Sequence, residues 1–108
     1  MITLFNRNGL AIIRLYEDWF VAYSEALHLG WLHGTVVYDK HGHHIGRFNN
    51  GKLFDRQGRI IATTSGSSYP GMAGIPGKPG RPGFSGDSGD PGYSGSWANK
   101  NFKEFFDV

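Results

Sequence analysis

The 108-residue chain has no cysteine. Disulfide staples and thiolate metal sites are therefore excluded, and cysteine usage assigns no redox compartment. Long apolar runs are also missing. No stretch approaches the roughly 18–20 residues of a membrane-spanning helix. Met1–Asn6 has neither the charged start nor the apolar centre of a secretory signal, so a cytoplasmic location is the expectation. Charge of one sign is scarce too: 11 Lys and Arg face 9 Asp and Glu, for a net +2. The basic residues are scattered, which excludes the clustered basic face that nucleic acid requires. No glycine-rich phosphate loop is present. The serines cluster in Ser65-Gly66-Ser67-Ser68 and in a glycine repeat, which is loop chemistry, and no nucleophile is set beside a base. The chain reads as a non-enzyme without a cofactor.

Glycine is what the chain has most conspicuously. Nine consecutive glycines sit at every third position from Gly71 to Gly95. Glycine at that period leaves one bare edge on a polyproline II helix, which turns every three residues. A bare edge is made for close packing, and three arrangements fit it. A collagen-like triple helix satisfies the glycine rule, and Pro76, Pro79, Pro82 and Pro91 all follow the X residue. A single extended segment laid on the rest of the protein fits as well, with Ile75, Phe84 and Tyr93 spaced nine apart as anchors. The third arrangement is antiparallel pairing, because the charges mirror about Phe84: Lys78 with Asp90, and Arg81 with Asp87.

The residues before the glycine run form a degenerate repeat. Val37-Tyr38-Asp39-Lys40-His41-Gly42-His43-His44-Ile45-Gly46 aligns with Leu53-Phe54-Asp55-Arg56-Gln57-Gly58-Arg59-Ile60-Ile61-Ala62 at a spacing of sixteen. Leu4-Phe5-Asn6-Arg7-Asn8-Gly9 begins a third copy. Ala22-Tyr23-Ser24 through Gly30-Trp31 is a weaker fourth. The pattern is that of a β-hairpin: Asn6, Asp39 and Asp55 accept backbone hydrogen bonds in the turn, while Gly9, Gly42 and Gly58 supply positive φ. Asn49-Asn50-Gly51, His33-Gly34 and Glu17-Asp18 mark the turns between copies. The expectation is all-β: a meander of about eight short antiparallel strands, then a glycine-rich polyproline II segment, then a short C-terminal helix. In residue bounds this is a hairpin domain at 1–65, a Gly-X-Y segment at 66–96 and an aromatic latch at 97–108. Gly30, Gly46 and Ala62 fall at one equivalent position, where a strand, ring or chain comes close. Phe102, Phe105 and Phe106 share a helical face, with Ser96 as a cap and Trp97 near the start.

Aromatics make up 15% of the chain, and a core drawn from about sixty-five residues is small. Some rings are expected between subunits. Gly30, Gly46, Gly74, Gly77, Gly80, Phe84, Phe102, Phe105 and Phe106 are the candidate packing and assembly residues. Trp19, Trp31, Phe48 and Trp97 are candidates to line an apolar lumen for an aliphatic or elongated small molecule. His41, His43 and His44 are the clustered ligand-type side chains that suit zinc, copper or nickel, although alternation sends His43 and His44 to opposite faces.

Together these motifs resemble the four-fold beta-flower family of small bacterial proteins. Tyr38-Asp39 through Ile45-Gly46, Phe54-Asp55 through Ala62, and Leu29-Gly30-Trp31-Leu32 are similar to its hairpins. Ile75 through Pro82, and then Trp97 through Phe106, stand where that family carries a period-three segment and a Phe-rich end. The family segment is rich in proline and lysine, whereas here it is rich in glycine. The resemblance implies a homotetramer about a four-fold axis, with petal-like strands and no established biochemical role. The functional expectation is a non-catalytic oligomeric assembly module, with an aromatic-lined binding protein and a collagen-like trimeric stalk as alternatives.

Overall fold

A computed structural model describes residues 1–86, 89 and 92–108. Eight strands follow one another, each antiparallel to the next, and close into a barrel. They are β1 (Ile2–Phe5), β2 (Ala11–Tyr16), β3 (Trp19–Ala22), β4 (His28–His33), β5 (Val36–Asp39), β6 (His44–Asn49), β7 (Lys52–Asp55) and β8 (Ile60–Thr63). The closing seam is thin, with β8 meeting β1 at the pair Phe5–Thr63. The expected all-β meander of hairpins is present, and it curls on itself within one chain.

Four hairpins make the barrel, and each carries a β-bulge at the same register. The shift falls between Leu4 and Phe5, Phe20 and Val21, Val37 and Tyr38, and Leu53 and Phe54. A bulge bends the strand and increases its twist, so four equivalent bulges distribute the closure around the ring. The residues opposite Leu4, Phe20, Val37 and Leu53 are Ile13, Gly30, Gly46 and Ala62. The repeated small position is therefore a true structural equivalence.

Three of the four turns share one chemistry. Asn6 Oδ1 accepts from the amides of Asn8 and Leu10 at 2.9 and 3.1 Å. Asp39 Oδ1 accepts from His41 and His43 at 2.8 and 3.0 Å, and Asp55 Oδ1 from Gln57 and Arg59 at 2.9 and 3.0 Å. Gly9, Gly42 and Gly58 follow with φ of 77°, 88° and 78°. The second hairpin differs. Ala22 stands where the others have Asn or Asp, and the buried Arg14 donates to Ala22 O through Nε and Nη2 at 2.9 and 2.7 Å. This loop is also longer, so Val21, not Tyr23, is the counterpart of Tyr38 and Phe54; the weak fourth copy is offset from its sequence alignment.

The barrel wall is buried on both faces, which is why β3 and β5 carry no exposed alternation. Inside, Leu4, Ile13, Phe20, Leu29, Val37 and Leu53 pack with Phe105 and Phe106. These rings come from α1 (Phe102–Phe106), which plugs the barrel. The helix is capped by Asn101, whose Oδ1 accepts from the Glu104 amide at 2.9 Å. Ser96 is not the cap: it lies five residues too early and its carbonyl accepts from Ile60 N at 2.9 Å.

The described residues that follow β8, from 66 to 86, 89 and 92 to 96, run outside the barrel as a strap. Ser68 N donates to Gly9 O at 3.0 Å, Ala73 N to Tyr23 O at 3.0 Å, Ser85 N to Gly42 O at 2.8 Å and Ser94 N to Gly58 O at 3.0 Å. The strap thus visits all four hairpin turns in order. Ala73, Ser85 and Ser94 each immediately precede a glycine of the run; proline, which has no N–H to donate, takes the same place at Pro76, Pro79 and Pro82.

Candidate functional site

The strap and the wall beneath it hold most of the chain's unusual side-chain chemistry. Phe84 stacks on Tyr38 with centroids 4.2 Å apart and planes 12° apart. Tyr93 stacks on Phe54 at 4.2 Å, and Tyr69 meets Phe5 edge-on at 5.4 Å. Each partner is the aromatic just after a hairpin bulge, so the repeat that builds the barrel also builds three docking points for the strap. Between them, Lys78 Nζ donates to Asp18 Oδ1 at 2.9 Å and lies 5.9 Å from the ring centres of both Trp19 and Trp31. Arg81 lies 4.9 Å over Phe84 and 6.0 Å over Trp31, with Nε 3.8 Å from Asp18 Oδ2. The Lys78 hydrogen bond holds the Asp18 carboxyl below its ordinary pKa, against a smaller opposing effect of burial. Both cations of the charge mirror are thus engaged by Asp18 of the same chain, while Asp87 and Asp90 lie outside the described residues.

The buried Arg14 ties the early strap to the barrel. Its Nη1 donates to Ala73 O at 2.7 Å and its Nη2 to Gly74 O at 3.3 Å. The sequence reading passed over Arg14 and took Asp18 only as a turn residue. A lone arginine inside the aliphatic strand Ala11–Tyr16 was the available signal, because a buried guanidinium must find acceptors.

The glycine edge itself does not touch the barrel. A Cβ built on Gly71, Gly74, Gly77, Gly80, Gly83 or Gly86 would meet nothing within 4 Å. The barrel-facing close approach comes instead from Gly42 and Gly58, where a Cβ would lie 2.0 Å from Gly83 O and 1.9 Å from Gly92 O. Gly30 and Gly46 serve the interior: a Cβ there would sit 3.0 Å from the Phe106 ring and 2.9 Å from the Phe105 ring. Phe102 is half-buried beside the same core.

Trp19 and Trp31 come together in the outer cluster beneath Lys78. Phe48 packs separately against the inner cluster, and Trp97 lies elsewhere, at a recess beside the first hairpin turn. The four rings do not share one lumen. His28 stands edge-on to Trp31 at 5.0 Å, and its Nε2 donates to Gly30 O at 3.1 Å; burial lowers its pKa.

The histidine cluster spreads around its turn. His43 Nδ1 is 3.0 Å from Asp39 Oδ2, His41 lies 6.2 Å from His43 ring to ring, and His44 packs against Tyr38 at 6.1 Å. Among the described residues, no three His, Asp or Glu side chains converge as metal ligands. Burial acts to raise the Asp39 pKa, but the amides of His43 and His41 and the His43 ring outweigh it and hold the carboxyl below its ordinary value. Among the described residues no helix is long and apolar enough to cross a membrane.

These features define a class: a closed antiparallel barrel of four repeated hairpins, plugged by a C-terminal helix and girdled by an extended strap. The model of the 4-fold beta flower protein family matches residues 2–106, and the chain belongs to that family of small proteins of unknown function. No curated protein and no solved structure matches the chain.

Proposed function

We propose that the protein is a non-catalytic assembly module that forms a homo-oligomer through the glycine edge of its strap. The observation that carries this reading is the direction of that edge. Six successive glycines of the run face open space, while the aromatic and cationic side chains between them are fastened to the barrel. Glycine costs more conformational entropy on folding than any other residue, and among the described residues no neighbouring atom excludes a side chain at these six positions. A second copy does: two bare extended edges can approach far more closely than edges that carry side chains. Tyr69, Met72 and Ile75 border the edge and are 61%, 56% and 55% exposed, which adds apolar surface to the contact.

The four-fold repetition within one chain supplies a ring without help from neighbours. The further assembly follows the family likeness in favouring four copies, with a collagen-like bundle of three as the alternative. The strap bends around successive hairpins of a closed ring, whereas a triple helix is a straight rod, so its path supports paired edges over the bundle. The test is light scattering on the whole chain and on Gly77→Ala/Gly80→Ala. Alanine fits both sites within the chain, so the variant keeps its dilute melting temperature or gains about 0.4–1 kcal/mol per site. The expected result is a wild-type mass of several chains that falls toward one chain in the variant. A wild type that stays monomeric up to millimolar concentration, or a variant with undiminished mass, refutes the proposal.

A further inference from the structure

We propose that the recess beside Trp97 is a binding site for a small aromatic carboxylate. The recess has a volume of about 280 Å³ and lies between the Asn6–Gly9 turn and the segment that leads into α1. That is near the lower end of the range for small-molecule sites and suits a one-ring ligand. Ile12, Ile61 and Phe102 form an apolar floor, and Trp97 stands beside it.

The backbone at Trp97, a half-buried residue, is pinned to β8. Ser96 O accepts from Ile60 N at 2.9 Å and Ala98 N donates to Ile60 O at 2.8 Å, so the backbone is fixed on both sides of it. The other two tryptophans pack in the outer aromatic cluster, whereas Trp97 stacks on no other ring among the described residues. An aromatic residue whose backbone is pinned beside an apolar floor offers a stacking surface, and a fixed backbone lowers the entropic cost of binding.

The rim selects charge. Arg7 and Lys100 both line the recess, and no carboxylate does. Among the described residues Arg7 makes no ion pair or side-chain hydrogen bond. Lys100 has only the 4.0 Å approach to Asp55 Oδ2, an oxygen that also faces Arg59 at 3.4 Å. The rim amides are oriented as well. Oδ1 of Asn6 is taken by its turn and Oδ1 of Asn101 by the Glu104 amide, which leaves Nδ2 of each as a donor. An arginine fork with amide donors suits a carboxylate, and the tryptophan and its floor suit a flat ring.

The test is a titration of the whole protein with sodium benzoate, read by tryptophan emission and by calorimetry, with benzyl alcohol and acetate as comparators. Trp19 and Trp31 are only 8% and 0% exposed, so the emission change should come from Trp97 and vanish in Trp97→Phe. Benzoate is expected to bind at millimolar concentration or tighter, with each comparator about tenfold weaker or more. Arg7→Gln, a surface change with no internal partner to orphan, should weaken benzoate by about tenfold, the loss of one charge-assisted contact. The proposal is overturned by no benzoate binding, by equal binding of benzyl alcohol, or by an Arg7→Gln variant that binds as wild type does.

Discussion

Gly46→Ala should be among the most damaging single-methyl additions available to this chain. The new Cβ would lie 2.0 Å from Phe54 O and 2.9 Å from the nearest atom of the Phe105 ring. Carbon and carbonyl oxygen normally approach no closer than about 3.3 Å, so β6 and β7 must part by more than about 1 Å at this point. That movement breaks the pairing around Gly46 and Asp55, at about 1 kcal/mol for each lost hydrogen bond. Overpacking against the plug adds about 1–3 kcal/mol. A total near 3 kcal/mol is a large share of the roughly 5–15 kcal/mol that holds such a domain together, and it should lower the melting temperature by about 12 °C or more. The assay is thermal and urea unfolding in dilute solution, where no second copy bears on the glycine edge, with Gly74→Ala as a control because its Cβ would meet nothing within 4 Å of its own chain. Adding Phe105→Leu to Gly46→Ala should fail to rescue it, since the backbone oxygen is the closer obstacle. A Gly46→Ala protein that melts within a few degrees of wild type would falsify the reasoning.

Other perturbations separate the plug, the strap and the buried titratable groups. Phe106→Ala empties a fully buried position in the barrel and should cost about 3–5 kcal/mol in urea unfolding; a loss under 1 kcal/mol, on the scale of a surface change, would mean the plug is not part of the core. Phe84→Ala removes the stack on Tyr38, worth about 0.5–1.5 kcal/mol beyond its area, so limited proteolysis should cut residues 75–86 faster while the barrel melts nearly as before. His28 has a folded pKa below its ordinary 6.5, so its contribution to stability is present above that value and is lost as pH falls toward the folded pKa. Urea midpoints should therefore drop between neutral pH and pH near 5, and His28→Gln should flatten that slope; an unchanged slope counts against the assignment. Asp18 has a folded pKa below 3.8, so its hold on the strap persists above that value and loosens below it. Asp18→Asn should speed strap proteolysis at neutral pH and remove its acid dependence.

Much of the barrel was legible because its instructions are local. Asn6, Asp39 and Asp55 bond to amides two and four residues ahead, and Gly9, Gly42 and Gly58 complete each turn, so pattern and geometry occupy the same few residues. Asn50 and Gly51 both take positive φ, 51° and 73°, as an Asn-Gly hairpin turn demands. The Phe-rich end was readable as a helix from its spacing. Its cap was not, because Ser96 and Asn101 are both good N-cap residues, and only the bridge from Ile60 commits Ser96 to the barrel.

By itself, then, the sequence determined the hairpins, their four-fold recurrence, the small residues at Gly30, Gly46 and Ala62, and a segment with glycine at every third place. Tertiary structure alone decided that the ring closes within one chain and that the strap turns Lys78, Arg81 and Phe84 toward the barrel and leaves its glycine edge open. The physical reason is separation along the chain. The strap is oriented by Arg14 reaching Ala73, 59 residues away, and by Asp18 reaching Lys78, 60 residues away. A period of three specifies that an edge is bare; only those distant contacts choose which way it faces.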